Sequence, residues 1–129
     1  MAYPTGSGSE VLKRTSIHAQ SNTATAFRWD VTMATTGTST YTVPANHIIT
    51  ILSIIFTEAA GADEQIHVDV VNGDDSQDIR IICEQSLPQT GTFVWNEKLV
   101  LKGGDKLVVT AVNAANIDCL CSYIDQDWS

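Results

Sequence analysis

Short runs rich in Val, Ile, Thr and aromatic residues recur along the chain, separated by clusters of Gly, Asn, Asp and Pro, and no stretch carries the apolar period of an ordinary helix. The runs predict strands over residues 11–18, 25–31, 40–43, 47–58, 65–71, 78–85, 92–95, 98–101, 106–113 and 117–125, with a Thr- and Gly-rich run at 33–39 too polar to bury much. Pro44-Ala45-Asn46 reads as a turn, because proline fixes φ and removes a donor. Asn72-Gly73 is a second turn signal, and Gly103-Gly104 predicts a tight hairpin between the flanking runs.

The most apolar run lies inside YTVPANHIITILSIIFTE, residues 41–58. Strict alternation puts Ile49, Ile51 and Ile55 on one face and Ile48, Leu52, Ile54 and Phe56 on the other, since successive strand side chains point to opposite sides. One face can fill a core, and the other then needs a second layer or a neighbouring subunit. The run is too short to span a bilayer, which takes about 20 mainly apolar residues. Elsewhere the alternation groups Ile66, Val68 and Val70, then Ile79, Ile81 and Cys83, then Ile117, Cys119, Cys121 and Tyr123. About eight strands carry enough apolar side chains to build a core. Their irregular spacing favours an all-β antiparallel β-sandwich with jelly-roll topology over an even meander. A polar N-terminal arm, residues 1–10, precedes a single jelly-roll domain over residues 11–129.

Composition narrows the function. The 129 residues carry a formal charge of −8, which argues against nucleic acid, because phosphate binding relies on clustered cations. No basic and apolar leader opens the chain, so secretion through a cleaved signal is not expected, nor is a membrane partner. Three cysteines cannot all pair within one chain, and Cys119 and Cys121, two apart on a strand, are too far apart to bridge without strain. All three read as small buried thiols. Asp63, Glu64, Asp69, Asp74, Asp75 and Asp78 form a carboxylate-rich stretch without the spacing of a calcium loop, and it reads as a solvated acidic loop. His18, His47 and His67 are scattered and show no ligand spacing. No metal, cofactor or catalytic residue is expected, and nothing around Cys83 marks a low-pKa nucleophile.

Three stretches, YTVPANHIITILSIIF, GTFVWNEKLVLKGGDKLVVTA and CLCSYIDQDW, together resemble a family of small jelly-roll structural proteins of tailed bacteriophage virions. The similarity covers residues 40–125, roughly, and leaves out the N-terminal third. Members serve as capsid decoration or cement proteins, as tail and neck components, or as fibre-associated domains. The resemblance implies a non-enzymatic protein of the virion, assembled in the bacterial cytoplasm. Its implied partners are copies of itself, as a homo-oligomer, and another virion protein, the major capsid protein first.

Candidate interface residues follow from where large apolar groups stand in polar surroundings: Tyr3 and Pro4 in the arm, Val11 and Leu12 just after it, Ile54 and Phe56 on the long strand, Trp95, and Trp128 beside the C-terminus. Trp29 alternates with Phe27 and is expected in the core. The reading carried forward is capsid decoration. A tail, neck or fibre adaptor is the alternative, and a carbohydrate-binding attachment module, with exposed aromatics stacking on sugars, is a third.

Overall fold

Apolar side chains at every second position make each strand two-sided, and two such sheets bury their apolar faces against each other. The computed structural model describes residues 9–20, 24–29, 41–59, 61–112 and 116–127. Among these the chain is all β: β1 (Ser9–Gln20), β2 (Thr25–Ala26), β3 (His47–Glu58), β4 (Glu64–Val71), β5 (Asp78–Leu87), β6 (Thr92–Trp95), β7 (Leu99–Lys102), β8 (Lys106–Ala111) and β9 (Asn116–Asp127). One sheet runs β1-β9-β3-β6, with β7 also on β3, and the other runs β2-β8-β4-β5. All pairs are antiparallel.

β6 pairs with residues 54–57 of β3 and β7 with residues 48–51, so the two form a single edge strand interrupted at residues 96–98. Counted so, eight strands make two four-stranded sheets. Only the β4–β5 link joins neighbours within a sheet; the chain otherwise passes from one sheet to the other. This is the jelly roll that the sequence predicts. The Gly103-Gly104 turn differs from expectation, because β7 and β8 belong to opposite sheets and the turn is a corner between layers, not a hairpin. The Met33–Ser39 run lies outside the described residues.

The core holds Phe27, Trp29, Ile49, Ile51, Ile54, Phe56, Ile66, Val68, Leu107, Val109, Ile117 and Tyr123. Trp29 packs edge-on against Tyr123 with ring centroids 5.0 Å apart, and Phe27 lies 6.0 Å from Trp29. Asp105 fixes the interlayer corner: its carboxylate accepts from the Gly73 N–H at 2.8 Å and the Lys102 N–H at 3.0 Å. At the other end of the sandwich, the Glu58 carboxylate accepts from the N–H groups of Gly61, Ala62 and Thr90 at 2.8, 3.2 and 3.1 Å.

Two departures from strict alternation matter. The β3–β9 register slips between Ile51 and Ser53, so Leu52 is an extra residue and the inward set changes parity from Ile49 and Ile51 to Ile54 and Phe56. β3 is therefore not apolar on both faces along its length. Ile54 and Phe56, expected at an interface, are instead fully buried in the sandwich's own core. The β4–β5 pairing also slips twice, after Ile66 and after Val68. These slips bury Ile82 and turn Cys83 outward, against the expectation that Cys83 is a buried thiol.

Candidate functional site: an outward apolar sheet face

Strand pairing brings residues from four strands into rows across the outer face of the β1-β9-β3-β6/β7 sheet. One row is Leu12, Ile124, Thr50 and Val100; two residues further along come Arg14, Ser122 and Ser53; then Ser16, Leu120, Ile55 and Val94; then His18, Asp118, Thr57 and Thr92. The rows are outward because their neighbours Thr15, Ile17, Cys121, Tyr123, Ile51 and Ile54 point in. The exposed large apolar side chains concentrate here: Leu12 is 71% exposed, Val100 58%, Val94 44% and Ile55 37%. Ile124 and Leu120, half-buried between them, complete two apolar bands on either side of the Arg14 row.

The His18 ring and the Asp118 carboxylate pair on this face. Around them lies a shallow depression of about 320 Å³, with Ser16, Ile55, Thr57 and Leu120 in its lining. At the β7 edge the face continues into a groove of about 360 Å³, walled by Ile48, Val70, Ile79, Ile81, Leu99 and Val100. Lys102 closes one end of it, bonded to Asp74 at 3.1 Å and Asp105 at 3.3 Å. Those carboxylates raise the Lys102 pKa, the Asp74 hydrogen bond most and against a smaller lowering by burial, so the ammonium stays charged.

Of the interface candidates, Leu12 stands on this surface at its β1 edge, and Val11 is exposed but on the opposite side of β1. Trp95 is turned inward opposite Ile54 and packs against the core, so it is not a surface aromatic. Tyr3, Pro4 and Trp128 lie outside the described residues. Sequence reasoning missed Ile55, Val94, Val100, Leu120 and Ile124. Val100 and Ile124 were legible as apolar residues at polar-phase positions, whereas Ile55 needed the bulge.

Most of the acidic stretch is tied up locally. Asp69 pairs with Arg80 at 2.8 Å, the Asp63 carboxylate accepts from the Gln89 N–H at 2.9 Å, and that of Asp75 accepts from the Gln77 N–H at 3.0 Å. Glu64 is buried. Among the described residues no three His, Cys, Asp or Glu side chains are grouped to hold a metal ion.

Cys119 and Cys121 are buried and free. Burial pushes the Cys121 thiol up to about 12 and the Cys119 thiol higher still. A thiol reagent at pH 8 is therefore expected to modify Cys83 alone in the folded protein and all three cysteines in denaturant. Because the folded pKa values exceed the unfolded one, the two buried thiols contribute stability below about pH 9. That contribution falls as pH rises from there towards about 12, which a pH series of denaturant midpoints reads.

Neither a protein-family model nor a curated protein sequence matches the chain. Solved structures do. The core of Drosophila NLP, described for pentamer formation and histone binding, aligns with a TM-score of 0.51 and 15% identity over 86% of this chain and 96% of that one. A protein of infectious bursal disease virus, Gx strain, aligns at 0.48 and 9% identity over the whole chain, which spans 36% of that protein. The globular domain of zebrafish complement 1qA aligns at 0.42 and 12% identity, covering 84% and 94%. At these identities the likeness is one of fold, a β-sandwich of jelly-roll type.

Proposed function

We propose that this protein is a non-enzymatic structural component of a bacteriophage virion, a capsid decoration or cement protein that binds the assembled shell. The observation that carries the reading is the outward apolar sheet face. A jelly roll already buries its core between two sheets, and a second apolar surface on an acidic domain is the mark of an assembly module. The resemblance of residues 40–125 to phage virion jelly rolls supplies the particle. Residues 1–8, which precede β1 and are polar or small apart from Met1, Tyr3 and Pro4, are read as an arm that lies along the major capsid protein.

The mechanism is linkage. A protein that binds the closed shell and not its dispersed subunits stabilises the shell by mass action, by about 2.7 kcal/mol per site at a hundredfold excess over Kd. Cryo-electron microscopy of purified particles tests the assignment. Copies repeated over the icosahedral surface are expected; a few copies at one vertex or on the tail would replace decoration by a tail or neck role, and their absence from particles would end the reading. The sugar-binding alternative is the weaker reading, because the described tryptophans, Trp29 and Trp95, face the core.

A further inference from the structure

We infer that the apolar face of the β1-β9-β3-β6/β7 sheet is covered by the same face of a second copy, about a two-fold axis parallel to the strands that runs between β9 and β3. This deepens the reading of the chain as an assembly module by naming the occupant of that surface.

Charge is the first argument. The chain carries −8 overall, which opposes self-association in general. Yet the four rows hold just one cationic and one anionic side chain, Arg14 and Asp118, with histidine counted neutral. The carboxylates of residues 63–84 belong to β4, β5 and their flanking turns, in or beside the other sheet. This face is where one acidic copy can approach another without meeting its excess charge.

Symmetry is the second. The apolar bands lie on either side of the Arg14 row, so a two-fold axis in the sheet plane lays apolar band on apolar band. Rotation about the strand direction sets Leu12 against Val100 of the other copy and Leu120 against its Ile55. The same rotation brings Arg14, on the β1 edge, to the Glu97-Lys98 linker on the partner copy's opposite edge. Arg14 and Glu97 have no hydrogen-bonded or ionic side-chain partner among the described residues. The perpendicular two-fold would instead oppose Arg14 to Arg14, and like charges facing across sheets repel. The charges thus select one of the two axes, and the pairing is isologous, as closed dimers require.

Size is the third. Four rows about 6.8 Å apart take up about 27 Å along the strands, and four strands span about 19 Å, so face-to-face packing covers about 500 Å² per copy and about 1,000 Å² in all. That is the lower limit for a specific interface, so a dimer with Kd on the order of micromolar is expected.

Sedimentation equilibrium of the full chain, from about 1 µM to 1 mM, tests the proposal. The native protein should pass from monomer to dimer. Ile55→Asp and Arg14→Glu should each weaken the dimer at least tenfold, while Val108→Asp, on the outer face of the other sheet, should leave it unchanged. The double variant Arg14→Glu, Glu97→Arg should recover most of the loss, which a general surface effect would not do. Circular dichroism identical to native confirms that each variant folds. A monomer at 1 mM, an oligomer indifferent to Ile55→Asp, or no recovery in the double variant would overturn the two-fold pairing. Particle binding measured alongside separates the two ideas: a dimer that ignores shells sinks the decoration role alone, and a monomer that decorates them sinks the dimer alone.

Discussion

Replacing Gly73 by alanine is expected to lower stability by about 3 kcal/mol, at the upper end of what one added methyl group does in a packed site. A Cβ at Gly73 would stand 2.5 Å from the Gly104 carbonyl carbon, 2.7 Å from its oxygen and 2.8 Å from its Cα. All three are backbone atoms, so no rotamer change relieves the contact. The turn after β4 must back away from the corner between β7 and β8, which breaks the 2.8 Å bond from the Gly73 N–H to Asp105. Gly104 faces the same contact with a different constraint. Its φ is +94°, and its own Cβ would meet nothing closer than 3.5 Å, so Gly104→Ala should cost about 1 kcal/mol through backbone strain alone. Urea melts of the two variants check the order, and a Gly73→Ala midpoint equal to native would refute the close approach of the turns.

Glu58→Ala should cost a similar amount, about 3 kcal/mol, through lost hydrogen bonds. The Glu58 carboxylate is 2% exposed, and one of its oxygens gathers three backbone N–H groups from two turns. Removing it leaves those donors without their acceptor, and hydrogen bonds to a charged group are worth more than neutral ones. Glu58→Gln keeps an acceptor oxygen and the shape, so it should lose less than half as much. Thermal melts separate the outcomes: a loss of about 10 °C for alanine is expected for a domain of this size, and equal losses for alanine and glutamine would show that charge rather than hydrogen-bond count holds the turns. As Glu58 ends an inner strand, hydrogen exchange at Gly61, Ala62 and Thr90 should quicken in both variants.

These two sites show what was legible in the sequence. Strand β3 is bounded at His47 and Glu58 as its apolar run predicts, and β6 at Thr92 and Trp95, because turn residues mark both ends. Two packed sheets and a jelly roll also follow from the number and spacing of the runs. Side-chain direction was less legible. Alternation holds through β9, where Ile117, Cys119, Cys121 and Tyr123 are all buried. It fails wherever a bulge adds a residue, and a bulge depends on the partner strand, which no local pattern reveals. Leu52 looks like any other member of its run, yet it decides that Phe56 faces in and Ile55 out. Sheet membership was also hidden: a Gly-Gly pair between two apolar runs suits a hairpin and an interlayer corner equally well. The apolar face suffered most from both effects, since it is assembled from β1, β9, β3, β6 and β7, and each contributes just one or two large side chains.

The free margins of the sandwich carry a consequence for how copies can meet. A β-sandwich leaves four strand edges whose unpaired amides invite another chain, and each edge here is blunted in its own way. β2 has just two residues, β5 is distorted by two register slips, the β6/β7 strand is broken at the charged Glu97-Lys98 linker, and β1 carries Lys13 and Arg14. Strand addition at such edges, the route to open-ended polymerisation, is suppressed. Among the described residues the broad side of a sheet is what remains open to another copy, and an isologous broadside contact closes on itself. A protein built this way can be crowded at very high local concentration on a surface without spinning into fibrils.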